Sequence, residues 1–396
     1  MKRRDFVIKG GLGALAAVTS TSVLANALNF NGANAVINVG IIGSGNRGTG
    51  LMPILNAMDG IHVTACCDVL PFRLEEGLAK AGRKAKGYND YRKLLDNKDV
   101  DAVIIATPLN THSQIGIDSI DAGKHVFAEK TLAKGYSGIK ALVEKGSQSS
   151  LIFQTGHQYH SSRLYNHVVN LIREGKIGKV VAFDCQWNRN GDWRRPVPQP
   201  SMERAVNWRM YREYSGGLVA ELCSHQIDFA NWVLDATPNK VLGVGGVDYW
   251  KDGRETFDNI HLIYSYPDGV KAKFTCLTSN SKDDFKIKVL GDKGTIVLDY
   301  EKAWFYPEAN DKKEMGNVDG VSGATKAWEQ ENGIPIEVEH ANPTKQALMD
   351  FKDSILNNTA PNSNLITGAN TAVGVQMGLD AMYNNEIIHK TLKDFY

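Results

Sequence analysis

"GIIGSGNRGTG", residues 40–50, decides the fold. Glycine is common in this chain, 38 residues in 396, so a G-x-G-x-x-G spacing can arise by chance. The flanks carry the reading. "INVGII" at 37–42 is a short apolar run that predicts a strand, and "GNRGTGLMPILNAM" after it has helical spacing. In that setting Gly43 permits a tight turn. Gly45 lets backbone N–H groups approach a pyrophosphate, and Gly48 allows close helix–strand packing. The anion sits at the helix N-terminus, where unpaired N–H groups and the helix dipole favour it. Asn46 and Arg47 complete the cofactor-facing loop. A second apolar run, "IHVTACC" at 61–67, leads to Asp68. A carboxylate there accepts hydrogen bonds from ribose hydroxyls and repels a 2′-phosphate, which predicts NAD rather than NADP. Arg47 and Arg73 work against that preference.

The alternation continues. "VDAVIIATP" (100–108) is nearly all apolar, as a strand buried on both faces should be. "THSQIGIDSIDAG" is helical, and "KHVFAEK" (124–130) is another strand. Strands alternating with helices imply a parallel, doubly wound sheet. Beyond about residue 150, strand-like runs are joined by tight turns, Pro-Asp-Gly at 267–269 and Asp-Lys-Gly at 292–294. Helical stretches at 160–174 and 217–233 interrupt them. The fold class is therefore α/β, with an N-terminal dinucleotide-binding domain (37–150) and a C-terminal α+β domain (151–396) around a mostly antiparallel sheet.

The N-terminus differs in kind. "MKRRDFVIKG" places Arg3 and Arg4 before an apolar, small-residue stretch with cleavage sites near Ala25 and Ala27. Residues 1–27 read as a twin-arginine export signal and 28–36 as an Asn/Ala-rich linker. The formal net charge is +1, and the first 25 residues hold four basic groups and one acidic group, so the rest is slightly acidic. That balance gives no reason to expect nucleic acid, and no interior run is apolar enough to insert in a membrane. The five cysteines include no C-x-x-C pair, and no metal site is expected. The expected location is the periplasm. Because the periplasm lacks a free NAD pool, an exported enzyme should hold its cofactor tightly and recycle it in place.

"INVGIIGSGNRG", "ATPLNTH", "VFAEK" and "SGGLVAELCSHQID" occur in this order. Together they resemble the Gfo/Idh/MocA oxidoreductases over roughly residues 37–396. The resemblance implies a Rossmann domain followed by a domain with a large open sheet that often forms an oligomer interface, hence a homo-oligomer, a dimer or tetramer. It implies that Thr107, Pro108, Asn110 and His112 belong to the cofactor site. It places Glu129 near the nicotinamide ribose and Lys130 at the reacting hydroxyl. The family's Glu-Lys-Pro, often with a cis bond, ends here in Thr131. Glu221, His225 and Asp228 match the second catalytic element, with Glu221 replacing the usual Asp. His157, Tyr159 and Arg163 fall where family members place substrate-facing residues.

The residues agree with that chemistry. Oxidising a secondary alcohol removes a proton from oxygen as hydride leaves carbon. A neutral His near its ordinary pKa can take that proton, and a lysine can stabilise the alkoxide. On a helix, Glu221 and His225 at i and i+4 share a face. Two segments dense in aromatics and arginine, "WNRNGDWRRP" (187–196) and "NWRMYREYSGG" (207–217), suit a sugar. Indole faces stack on its C–H surfaces and Arg binds its hydroxyls. Trp193, Arg194, Trp208 and Arg209 are the candidates. The leading expectation is an NAD-dependent enzyme that oxidises a sugar or glycoside, at C3. The alternatives are an NAD-dependent glycoside hydrolase working by transient C3 oxidation and elimination, and a non-enzymatic NAD-binding sensor.

Overall fold

The computed structural model describes residues 36–82, 84–308, 333–339 and 341–390. The expected export signal, and all of the expected linker but Val36, lie outside the described residues.

Eleven elements alternate at the start: β1 (Ile37–Ile42), α1 (Asn46–Asn56), β2 (Ile61–Cys67), α2 (Pro71–Ala81), β3 (Lys86–Tyr88), α3 (Tyr91–Leu95), β4 (Ala102–Ile105), α4 (His112–Asp121), β5 (His125–Ala128), α5 (Tyr136–Ser147) and β6 (Phe153–Thr155). The six strands are all parallel, in the order β3-β2-β1-β4-β5-β6. Every residue of β4 and β5 is buried, which is why both read as unbroken apolar runs. Chain direction across the sheet reverses between β1 and β4. In such sheets the ligand crevice lies outside the carboxyl ends of the strands at this switch point.

The second part contains α6 (Arg163–Arg173), β7 (Val180–Trp187), α7 (Glu203–Val206), α8 (Ser224–Leu234), β8 (Lys240–Gly246), β9 (Asn259–Ser265), β10 (Lys271–Leu277), β11 (Phe285–Gly291), β12 (Gly294–Asp299), β13 (Lys302–Pro307), β14 (Ile334–Ile336), α9 (Pro343–Asn357), α10 (Leu365–Asn384) and β15 (Ile388–His389). Its nine-stranded sheet runs β14-β13-β12-β11-β7-β10-β9-β8-β15, antiparallel throughout except for β7 beside β10. Alternation is strict where one face is covered. Ile260, Leu262 and Tyr264 of β9 are buried while His261 and Ile263 face outward. Tyr264 donates its hydroxyl proton to Gly374 O of α10 (3.0 Å), and Tyr266 to Asn231 Oδ1 of α8 (2.8 Å), tying the helices to the inner face. The turn at 267–269 joins β9 to β10 with positive φ at both Asp268 (60°) and Gly269 (84°), the twist that an antiparallel pair needs.

Two boundaries differ from the sequence reading. The division expected at residue 150 falls inside the first sheet, because β6 pairs with β5. The chain also returns to that sheet at its end. On α9, Leu348, Phe351 and Ile355 join the apolar cluster of β1 and α1, with the Phe351 ring edge-on to Phe127 at 5.7 Å. A helix far along the chain completes the Rossmann core, which no local pattern announces.

Candidate active site

The glycine loop has the shape its sequence calls for. Gly43 sits at φ +96°, and a Cβ there would lie 2.6 Å from Ala106 O. A Cβ at Gly48 would lie 2.0 Å from Gly43 O. Gly45 differs: a Cβ there would meet nothing within 4 Å. It caps α1, which starts with no side-chain cap and no acid in its first turn. The first N–H groups of α1 therefore open onto free space, as an anion site requires. Asp68, at the end of β2, accepts from Ser44 N–H (2.8 Å) and Leu70 N–H (2.9 Å). One bond to each oxygen fixes the carboxylate's orientation and leaves lone pairs for a ribose diol. Burial raises the Asp68 pKa against those two bonds. This cradle fits a dinucleotide: open amides for the pyrophosphate and an oriented carboxylate for the ribose.

The next residues hold one another. Arg47 donates from Nε to Glu129 Oε1 (2.6 Å) and reaches Thr344 Oγ1 of α9 (3.4 Å). Thr107 Oγ1 accepts from Thr111 Oγ1 (2.7 Å), Pro108 is half-buried, and Asn46 and Asn110 are exposed. The Asn110 N–H bonds Tyr214 O in the second part of the chain. His112 does not face the loop's open side. It is buried, with Nδ1 2.9 Å from Thr131 O and Nε2 2.9 Å from Thr107 O, and serves as an internal strut. The Lys130–Thr131 peptide is cis.

Lys130 extends from the end of β5 to the far side of the crevice. Its Nζ donates to Glu221 O (2.7 Å) and lies 4.0 Å from Glu221 Oε2. Glu221 is not on a regular α-helix. It occupies a π-helical turn, Val219–Cys223, that leads into α8. Such turns recur at functional sites, and this one frees the Glu221 and Ala220 carbonyls to meet Lys130. Glu221 Oε2 also accepts from Arg209 Nε (2.8 Å). Burial pushes its carboxyl up, but Arg209 and Lys130 outweigh it, and the pKa falls below the ordinary range. Burial pushes Lys130 down.

His225, one turn on, corrects the expectation of an ordinary imidazole. Burial, then Lys130, His157, Arg47 and Arg189, drive its pKa well below 6.5. Its ring lies among Tyr159 (5.2 Å between centroids), Trp187 (5.7 Å) and His157 (5.7 Å), and its buried Nδ1 is without a partner. Behind it, Asp228 accepts from Thr371 Oγ1 (2.9 Å) and lies 2.9 Å from His160 Nε2 and 4.0 Å from His157 Nδ1. Asp228 thus sits in a buried polar cluster with two histidines.

The remaining candidates divide. Arg163 is exposed and paired with Asp350 of α9 (3.1 Å). Arg194 is bound to Glu203 and Asp252 and is fully occupied as a structural tie. Trp208 is half-buried under the Arg209 guanidinium (4.2 Å), and Arg209 itself reaches the centre through Glu221. Trp193 packs against the core at the rim. Trp187, Arg189, His160 and Ser215, whose hydroxyl donates to Glu221 Oε1 (3.4 Å), were not among the candidates. All but His160 lie in the aromatic–arginine stretches already quoted, so the signal marked the segments but not the side chains.

The buried histidines give a stability prediction. His125 Nδ1 accepts from Ile152 N–H (3.0 Å), which requires an unprotonated nitrogen, and His157 is fully enclosed. Burial lowers each to about 4. A depressed histidine contributes stability above its unfolded pKa of about 6.5 and loses it as pH falls toward the folded value. Urea melts should therefore show stability falling between pH 6.5 and 4, by on the order of 3 kcal/mol per group. An unchanged midpoint down to pH 4.5 would contradict this.

The model of the family described as "Oxidoreductase family, NAD-binding Rossmann fold" matches residues 37–157, and that of the "GFO/IDH/MocA C-terminal domain" matches 165–297. The chain belongs to the Gfo/Idh/MocA family. Among its relatives, myo-inositol 2-dehydrogenase of Thermotoga maritima is 27% identical over 270 residues, 66% of this chain and 75% of that one. The fold also matches an aldose-aldose oxidoreductase from Caulobacter crescentus complexed with glycerol (TM-score 0.71, 19% identical, covering 90% of this chain and 100% of that one). A levoglucosan dehydrogenase in complex with NADH and levoglucosan matches similarly (TM-score 0.69, 19% identical, 89% and 99%). This Gfo/Idh/MocA protein is an NAD-dependent oxidoreductase, and its glycine loop and Asp68 are the parts that fit NAD.

Proposed function

We propose that the protein oxidises a secondary hydroxyl of a sugar or glycoside, at C3, with NAD that stays bound and is recycled in place. The observation that carries this reading is the meeting of Lys130, at the carboxyl end of β5, with Glu221, and the placement of His225 one turn on within reach of the Lys130 charge. Bound NAD supplies the hydride acceptor. The Lys130 ammonium donates to the substrate oxygen and stabilises the charge that develops there. His225, neutral because it is buried among cations, takes the hydroxyl proton. Glu221 keeps Arg209 and Lys130 in place. The relatives' names, inositol and levoglucosan dehydrogenases, are in keeping with a polyhydroxylated substrate.

The twin-arginine stretch supports export to the periplasm, and export supports a retained cofactor. The outer face of the nine-stranded sheet exposes Leu242, Val244 and Ile263, a surface suited to a homo-oligomer. One experiment tests the enzymatic reading. The mature protein is isolated, its near-ultraviolet spectrum recorded, and methyl and aryl glucosides added. Reduction of bound NAD without aglycone release is the expected result. Aglycone release with no net reduction would replace the reading with a hydrolase, and neither change would leave a sensor.

A further inference from the structure

Most arginines around the site are paired with carboxylates. Arg47 pairs with Glu129, Arg209 with Glu221, Arg194 with Glu203 and Asp252, Arg204 with Glu213 and Glu255, and Arg254 with Asp252. Arg189 is exposed, and among the described residues it makes no ion pair with a carboxylate. Its side chain is nonetheless held. The guanidinium carbon lies 5.3 Å from the Trp187 ring centroid and 5.9 Å from that of Trp193. The backbone beneath is pinned: Asn188, Arg189 and Gly191 donate to Asp284 O (2.8 Å), Leu277 O (2.7 Å) and Thr278 O (2.9 Å).

The clamp itself is strained. Trp193 adopts φ 64°, in the left-handed region, where a bulky residue is an outlier costing roughly 1–3 kcal/mol. The residue before it is fixed by Arg254 Nη2, which donates to Asp192 O (2.9 Å), and Asp192 Oδ1 accepts from Arg194 N–H (3.1 Å). Trp187 in turn lies against His225 at 5.7 Å. One indole therefore separates an unpaired, preorganised cation from the ring assigned to proton removal. The Arg189 charge reaches His225 and helps to depress its proton affinity. The two indoles contact the guanidinium without neutralising it, and a guanidinium pairs with a carboxylate in bidentate geometry.

We propose that Arg189 binds a carboxylate on the substrate, so that the site takes an acidic sugar, a uronic acid or its glycoside, with its secondary hydroxyl at Lys130 and His225. This rests on the oxidoreductase reading above for the placement of the hydroxyl. Binding and turnover are read separately, so the two readings can fail separately. The NAD-loaded full chain is titrated by calorimetry at low salt with methyl glucoside, methyl glucuronide and glucose 6-phosphate. The glucuronide should bind about tenfold or more tighter than the glucoside, as one charge-assisted bidentate contact implies. Arg189→Gln should bring the two together, and Arg189→Lys should keep part of the difference. Arg195→Gln, at an exposed arginine of the same loop, should leave the ratio intact. Equal affinities in the unmodified protein would overturn the proposal. So would a ratio that survives Arg189→Gln, an equal collapse in Arg195→Gln, or a preference for the phosphate. Arg189-dependent glucuronide binding without NAD reduction would support this proposal and overturn the dehydrogenase reading. NAD reduction by the neutral glucoside with no glucuronide preference would do the reverse.

Discussion

Replacing Lys130 with methionine is expected to lower kcat/KM for bound-NAD reduction by about 100- to 1,000-fold, the usual loss when one donor to a developing oxyanion is removed. Methionine keeps the length and apolar stem but removes the ammonium. Glu221 does not become an uncompensated buried charge, because Arg209 still binds it at 2.8 Å. The Glu221 carbonyl loses its 2.7 Å donor, so a modest stability loss of about 1 kcal/mol belongs with the change. The NAD content of the purified protein should stay at the wild-type level, since the glycine loop and Asp68 are untouched. The pH profile separates a chemical role from a packing role. Burial lowers the His225 pKa first, and Lys130 is the next cause. With the ammonium gone, the His225 pKa should rise, and the acid limb of the residual kcat/KM should move upward from its position below pH 6.5. A slow variant with an unmoved acid limb would place Lys130 outside the electrostatic reach of the base. A variant of wild-type rate would remove it from the chemistry.

How far the site was legible depended on how local its determinants are. The glycine loop reads from sequence because its spacing answers local backbone demands, such as the positive φ of Gly43 and the 2.0 Å that a Gly48 Cβ would leave to Gly43 O. Lys130 and Glu221 read through their motifs, yet their meeting depends on a π-helical turn that a regular i, i+4 spacing conceals. The resemblance named Arg163 and composition named Arg194, but neither shows their ion-pair partners, Asp350 and Asp252, which lie 187 and 58 residues away. The helix α10 was missed because it is buried nearly all round, and so shows no polar stripe for periodicity to detect. The motif named His225 but not its lowered proton affinity, since burial and neighbouring cations are properties of the assembled crevice.

Gly45→Val should abolish retention of NAD while leaving the fold intact. The distinction from its neighbours is geometric. At Gly43 and Gly48 a side chain would strike backbone oxygens at 2.6 and 2.0 Å, so substitution there damages the loop whether or not a cofactor binds. Gly45 has extended backbone, φ −70° and ψ −171°, which any residue adopts, and its Cβ would enter open space. The thermal midpoint of the cofactor-free variant should therefore match that of the cofactor-free parent, within the ±0.5 kcal/mol typical of surface changes. The open space is where the pyrophosphate must approach the α1 amides, so two methyl groups there exclude it. A rise in Kd of about 100-fold, near 2.7 kcal/mol, is expected by calorimetry with NAD. The purified variant would then be recovered without NAD, showing no near-ultraviolet change on adding sugar until NAD is supplied in excess. If Gly45→Val binds NAD as the parent does, the free space beside α1 is not the pyrophosphate site. The open glycine, rather than the crowded ones, is thus the position at which binding and folding can be told apart.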